Sequence, residues 1–345
     1  MLKPYISKLM HRENLSAEEA EAAMQIIMTG QATDAQIGGY LIALRMKGET
    51  VEEITGSARA MRAHASRVPY PVNGQALLDT AGTGGDGAHT FNISTAAAFV
   101  IAGAGRRVAK HGNRAASSRC GSADVLNALG VNLDLTPEQV ADCIDAVGIG
   151  FIFAPRFHPA MKYAIGPRRE LGLRTIFNLL GPLTNPAGAT HQLIGVYDPA
   201  LTHTLAVVLG SLGGRAAVVV HGHGGLDELT TSGPNRVSRL EDGHVNSYDL
   251  DPAALGLRPA SADELRGGDP PENAAMLRAL LCGEDASPRR DVVLLNSAAA
   301  LATEHGDIAG ALAEARESLD SGAALAKLEA LVAYSQQLGK QQPVL

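Results

Sequence analysis

The apolar positions of the first seventy residues recur at helical spacing. Between residues 17 and 28 they fall three and four apart and stop at Thr29-Gly30, which predicts a helix ending there. Ile37, Leu41, Ile42 and Leu44 predict a second helix that ends before Gly48. Three helix starts carry a hydroxyl with Glu or Gln three residues on: Ser16 with Glu19, Thr33 with Gln36, and Thr50 with Glu53. In such a box the hydroxyl accepts from a free first-turn N–H while the longer side chain reaches back. No chemistry is visible in this stretch; its pattern is that of a helical packing or dimerisation module.

A joint rich in Pro and Gly at residues 68–74 (VPYPVNG) then breaks the pattern. Beyond it, short apolar runs alternate with helical stretches. Residues 77–79, 107–110, 192–197, 216–221 and 292–296 are predicted strands. Residues 96–104, a stretch through Val125-Leu126, 202–212 and 297–304 are predicted helices. Thr136 with Gln139 makes a further box, with Pro137 in the tolerated first helical position. Residues 251–290 predict no element. Strands alternating with helices imply an α/β class, a mainly parallel sheet flanked by helices. The expected division is a small all-helical domain over residues 1–72 and a large α/β domain over 76–345. In such sheets ligands bind at the carboxyl ends of strands, so the loops there matter most.

Composition narrows the function. The 345 residues include 38 Gly without collagen periodicity, which suggests loops where the backbone itself approaches a ligand. A net charge of −7 argues against a general nucleic-acid binder, and the lack of Trp removes stacking platforms. Cys120, Cys143 and Cys282 lie far apart, so neither a disulfide framework nor a zinc site is implied. The opening MLKPYISKLM lacks signal-peptide character, and the longest apolar run, residues 96–105, is about half of the ~20 a membrane span needs. A cytoplasmic protein is expected.

Three loops carry candidate chemistry. The first, residues 79–95 (DTAGTGGDGAHTFNIST), matches G-x-G-x-x-G at Gly82, Gly84 and Gly87. A dinucleotide site is excluded, because the following helix is expected only after Ser94-Thr95 and the position of the ribose-binding acid is basic. A Walker A loop fails for want of Gly-Lys-Ser/Thr. What remains is a nest of backbone N–H groups suited to phosphate, followed by Asn92, Ser94 and Thr95 at a helix start. The plainer alternative makes Ser94 or Thr95 a simple N-cap. The second loop runs from Lys110 through Arg114, Ser117, Ser118 and Ser122, so two anion-binding loops suggest a ligand with two separated phosphate groups. The third is His221-Gly-His223-Gly-Gly-Leu-Asp227-Glu228. Adjacent carboxylates there suit magnesium; zinc on the histidines, or an acidic helix start, are the alternatives.

Taken together, GTGGD (82–86), NIST (92–95), KHGNR (110–114), HPAM (158–161), RRELGLRTIFNLLGPLTNP (168–186) and LDEL (226–229) resemble the anthranilate phosphoribosyltransferases of tryptophan biosynthesis. Order and spacing match over nearly the whole chain. The resemblance implies a homodimer, with part of residues 160–186 joining the helical domain and the active site in the cleft between domains. It places phosphoribosyl pyrophosphate on Gly82, Gly85, Asp86, Thr90, Asn92, Ile93, Ser94 and Thr95. Lys110, His111, Gly112, Asn113, Arg114, Ala115, Ala116, Ser117, Ser118 and Ser122 would cover its phosphates, with Lys110 and Asp86 catalytic. Two magnesium ions are implied, one on Ser94 and one on Asp227 and Glu228. Anthranilate would meet Gly82, Asn113, His158 and Arg168, the arginine pairing its carboxylate. Two rivals are a pyrimidine nucleoside phosphorylase and a non-catalytic nucleic-acid-binding relative. Residues 168–186 with Asp227-Glu228 argue against the first; the intact phosphate and metal set and the net charge argue against the second.

Overall fold

The computed structural model describes residues 1–115 and 118–340. Four helices open the chain: α1 (Lys3–Met10), α2 (Ala17–Met28), α3 (Asp34–Lys47) and α4 (Val51–Ala63). Ser16, Thr33 and Thr50 each accept from the N–H three residues on. At Ser16 and Thr50 the glutamate also returns its bond, whereas Thr33 keeps only the first half of the box.

The rest of the chain alternates strands and helices. In order they are β1 (Leu77–Asp79), α5 (Ile93–Gly103), β2 (Arg107–Gly112), α6 (Ser122–Ala128), α7 (Pro137–Ala146) and β3 (Ile149–Phe153). Then come α8 (Ala154–Phe157), α9 (Lys162–Leu171), α10 (Ile176–Leu183), β4 (His191–Gly195), α11 (Leu201–Ser211) and β5 (Ala216–His221). An edge hairpin of β6 (Asn235–Glu241) and β7 (His244–Leu250) precedes α12 (Pro270–Leu281), α13 (Pro288–Leu301), α14 (Ile308–Asp320) and α15 (Ala323–Lys340). The strands form one sheet in the order β3-β2-β1-β4-β5-β6-β7. Pairs from β3 to β5 are parallel, and the last two pairs are antiparallel. The hairpin turns on Asp242-Gly243, both at positive φ, as a two-residue loop requires.

Several expectations change here. Residues 292–296 are not a strand; they lie inside α13, which starts at Pro288 behind a Ser287 cap. That helix is buried from Asp291 to Leu301, so it has no polar face to betray its period and reads as an apolar run. β2 extends two residues past Lys110, which puts His111 and Gly112 on the strand. α5 begins at Ile93, earlier than expected, so Ser94 and Thr95 sit within its first turn. β3, β6 and β7 were not predicted, and residues 251–290 contain α12 behind an Asp269/Glu272 capping box.

Side chains alternate across the sheet into two cores. Leu193, Val218, Val220 and Val237 join the cluster built on α5 and α12–α15. Ile194, Ala217, Val219 and Leu240 face the cluster built on α2–α4 and α9–α11. On the second face α11 lies against β5 and β6, and the opening helices join the same core from behind it, α4 packing on α10 and α11. The period-two alternation of strands permits the two cores. No described helix is long and apolar enough to cross a membrane.

Candidate active site

The chain moves outward from β1 to β2 and β3, then returns to lay β4 on the other side of β1. The carboxyl ends of β1 and β4 thus flank a topological switch point, where open α/β sheets leave a crevice. The glycine loop begins there. Thr83 N–H donates to the Gly195 carbonyl at 2.9 Å, tying the loop to the end of β4. Gly84 and Gly85 take φ of 67° and 79°, a left-handed pair that glycine adopts without strain. Gly84 N–H donates to Asp227 Oδ2 at 2.6 Å, and Asp86 accepts from Ala88 N–H at 3.0 Å and Asp227 N–H at 3.4 Å. Gly195 needs its bare Cα, because a Cβ there would overlap the Asp227 peptide, and Gly82 is tight, a Cβ on it lying 3.1 Å from Asp227 Oδ2.

Asp227 and Glu228 do not open a helix; they lie in an irregular turn between β5 and β6. Glu228 accepts from Ser94 N–H at 3.1 Å, at the positive end of α5. Burial, and then their mutual repulsion, push Asp227 well above the ordinary carboxylate range, with Asp86 adding to it. Burial likewise raises Glu228, against the pull of Lys110. Lys110 is 2% exposed; its ammonium donates to Thr80 Oγ1 at 3.1 Å and Ser94 Oγ at 3.4 Å. Burial lowers its pKa, and Asp79 and Glu228 oppose that shift. Among the described residues no three His, Cys, Asp or Glu side chains form a metal cage. His221 Nδ1 is bonded to the Val196 carbonyl and the His223 ring packs against Gly233, so the acidic pair is the better cation site.

Neither Ser94 nor Thr95 is the N-cap of α5. That position belongs to Asn92, whose side chain makes no capping bond. The Thr95 hydroxyl is buried with no partner among the described residues. The second loop is organised by Asp124, which accepts from Ala115 N–H at 2.9 Å, Gly121 N–H at 3.0 Å and the Arg114 guanidinium at 2.9 Å. Burial raises the Asp124 pKa, but these donors outweigh it and hold the carboxyl below its usual range. Arg114 also lies 5.6 Å over the Phe153 ring. Asn113 and Ser118 are exposed, and the Ser122 hydroxyl donates to the Asn113 carbonyl at 3.4 Å. Ala116 and Ser117 lie outside the described residues. Ile93 is buried, Thr90 forms a bridge with Arg266, and Gly112 packs under Ser122 and Phe151.

The opposite wall pairs two histidines. His111 and His158 are nearly buried, their ring centroids 5.1 Å apart, and each Nε2 has no partner among the described residues. Burial pushes His111 down to about 3 and His158 down to about 4, so both are neutral near pH 7. The Gly181 backbone on α10 meets His111. One turn earlier, Phe177 supports Arg168, whose guanidinium sits 5.1 Å over the ring. Phe177 and Gly181 are one turn apart, so α10 meets both Arg168 and His111, with His158 against the His111 ring. Arg168 is half-buried, burial lowers its pKa, and among the described residues no carboxylate or carbonyl accepts from it.

Sequence reasoning missed several supports. Asp79 is fully buried and raised to about 6 by desolvation; it accepts from Asn185 Nδ2 at 2.7 Å and His111 N–H at 3.1 Å. Asn185 also donates to the Ala109 carbonyl at 2.8 Å, so it locks the end of β1 to β2. Asn296 on α13 clamps both the N–H and carbonyl of Leu229, at 3.0 and 2.8 Å, directly after the acidic pair. Arg174 stacks on Tyr197 at 4.3 Å and donates to the Gly85 carbonyl. Asp79, Arg174 and Asn185 stood inside the recognised segments; Asn296 carried no signal, being one polar residue in a buried helix.

The same architecture occurs in known proteins. Residues 3–65 match the helical bundle domain of a glycosyl transferase family, and residues 74–325 match that family's a/b domain. A relative from Moorella thermoacetica, an anthranilate phosphoribosyltransferase, is 58% identical over 336 residues, covering 97% of this chain and 98% of its own. The crystal structure of the anthranilate phosphoribosyltransferase from Thermus thermophilus is similar with a TM-score of 0.90 at 46% identity, covering 96% of this chain and 99% of that one. The Saccharomyces cerevisiae enzyme, solved in complex with PRPP and Mg, is similar with a TM-score of 0.89 at 30% identity, covering 97% and 98%.

Proposed function

The chain belongs to the anthranilate phosphoribosyltransferase family, and we propose that its cleft joins anthranilate to the ribose of phosphoribosyl pyrophosphate. The anthranilate amine forms a bond to ribose C1 as the C1–O bond to pyrophosphate breaks, with inversion, giving N-(5-phosphoribosyl)anthranilate. The observation that carries this reading is Arg168: a half-buried guanidinium without an acceptor among the described residues, packed on α10, which also meets the neutral His111–His158 pair. A planar aromatic carboxylate satisfies that fork, while uncharged rings accept its apolar edge. Gly82, Asn113, His158 and Arg168 form this acceptor side.

The donor lies across the switch point, on Gly82, Gly85, Asp86, Thr90 and residues 92–95, with residues 110–118 and Ser122 over its phosphates. Lys110 stabilises the negative charge that grows on pyrophosphate, in a buried setting where such charge is weakly screened. Asp86 keeps the loop shaped around the leaving group by tying Ala88 N–H to Asp227 N–H. Magnesium fits the acidic floor, because two half-buried, mutually repelling carboxylates call for a cation. Asp227 and Glu228 would hold one ion and Ser94 a second, and bound there they supply charge that offsets the pyrophosphate. The arylamine is unprotonated near pH 7, so no strong base is required. Closure of the helical domain over the cleft excludes water, which would otherwise hydrolyse the donor.

Residues 1–72, with part of 160–186, form the helical domain and the surface for a second copy. Met10, Met46 and Ile165, on α1, α3 and α9, are exposed on helices that pack together. The protein works as a cytoplasmic homodimer. The test is to mix it with anthranilate, phosphoribosyl pyrophosphate and magnesium and follow loss of anthranilate fluorescence. Magnesium-dependent loss supports the reading; no turnover, together with nucleoside phosphorolysis, overturns it.

A further inference from the structure

Residues 261–273, silent in the sequence, clasp the glycine loop from outside. Thr90 forms an antiparallel bridge with Arg266, Phe91 N–H donates to the Leu265 carbonyl at 2.9 Å, and Gly267 N–H donates to the His89 carbonyl at 2.9 Å. The approach is close: a Cβ on Gly267 would lie 2.8 Å from the Thr90 carbonyl oxygen and 2.9 Å from Phe91 Cα. The clasp ends at Asn273, in α12 and 1% exposed. Its Oδ1 accepts from Gly268 N–H at 2.7 Å, and its Nδ2 donates to Asn92 Oδ1 at 2.9 Å.

Asn92 passes the constraint on. With its oxygen held by Asn273, its Nδ2 donates to the Cys120 carbonyl at 3.2 Å, and the Cys120 thiol leans on the same oxygen at 3.5 Å. An amide has one donor end and one acceptor end, so fixing the oxygen fixes where the NH2 points. This explains why Asn92 occupies the N-cap of α5 without capping it. The chain Asn273–Asn92–Cys120 joins the first phosphate loop to the second.

We infer that Asn273 is a positioning residue of the phosphoribosyl pyrophosphate site, setting the register between its two loops through Asn92. The inference rests on the function proposed above. Asn273 itself touches no reacting group, so its loss acts on the donor and spares the anthranilate wall.

Asn273→Asp tests it. The carboxylate still accepts from Gly268 N–H but cannot donate to Asn92, whose amide then turns to donate and abandons the Cys120 carbonyl. The expected result is a rise in KM for phosphoribosyl pyrophosphate of about tenfold, the worth of one buried hydrogen bond, with KM for anthranilate within about twofold. Should that variant fail to fold, Asn273→Ala, which also cannot donate to Asn92, has to reproduce the donor-selective rise. In an Asn92→Ala, Asn273→Ala cycle, Asn273→Ala has to lose its effect on the donor KM once Asn92 is absent, a non-additivity that follows because Asn273 acts through Asn92. A folded variant with both KM values unchanged, or both raised in proportion, or an additive cycle, overturns the assignment. Absence of turnover in the unsubstituted protein would instead overturn the proposed function.

Discussion

Gly195 gives the sharpest test of how the fold makes the site. It ends β4, and a methyl on it would overlap the carbonyl carbon and oxygen of Asp227 while lying 3.2 Å from its Cα. The obstacle is backbone, which cannot rotate aside, so in Gly195→Ala the Asp227 peptide has to retreat by roughly 1 Å or more. That shift breaks the 2.6 Å bond from Gly84 N–H to Asp227 and loosens the Thr83 N–H bond to the Gly195 carbonyl. Overpacking of this kind costs about 1–3 kcal/mol, and each lost bond adds about 1 kcal/mol. Misplacing a catalytic group by 1 Å costs on the order of a hundredfold in rate, so turnover falls far more than stability. The assay combines anthranilate-fluorescence turnover over a magnesium titration with urea unfolding of the same sample. A folded variant with native turnover and native magnesium dependence would refute the claim that this contact places the acidic pair.

Three further outcomes are expected. Arg168→Ala should raise KM for anthranilate about tenfold to a hundredfold, the worth of a charge-assisted hydrogen bond, and leave KM for the donor unchanged; steady-state kinetics with each substrate varied decides it. Asp227→Asn with Glu228→Gln should lose magnesium-dependent turnover yet raise the melting temperature of the ligand-free protein, because the desolvation and mutual repulsion that oppose charge on this pair disappear; a lower melting temperature would contradict this. His111 and His158 stay neutral down to about 3 and about 4 when folded, so unfolding takes up protons below pH 6.5. Their stabilising share is complete above that value and is lost as pH falls toward 4, by about 1.4 kcal/mol per pH unit for each. Asp79, raised to about 6, works in the opposite sense, its share being lost as pH rises from about 4 to 6. His158→Asn should therefore flatten the acid limb in urea-unfolding series from pH 7 to 4; an unchanged slope would contradict the burial argument.

Much of this was legible in the chain itself. Ser16, Thr50 and Thr136 are capped as their spacing requires, since capping is a contract among residues three apart. The strands before each candidate loop could be read for the same reason. Residues 292–296 misled because a helix buried all round shows no period. β6 and β7 escaped although Asp242-Gly243 marks their turn, and α12 escaped although Asp269 and Glu272 box its start.

The sequence by itself determined the local pattern: a run of glycines after a strand, hydroxyls at helix starts, two adjacent acids after a buried strand. Those depend on near neighbours and survive without knowledge of the fold. Only the tertiary structure decided which of them meet. Gly195 touches Asp227, Asn273 turns Asn92, Asn296 grips Leu229 and His111 leans on His158, each across at least thirty residues. Such contacts are set by sheet order and helix packing, and a lone asparagine in an apolar run carries no periodic trace of its distant partner.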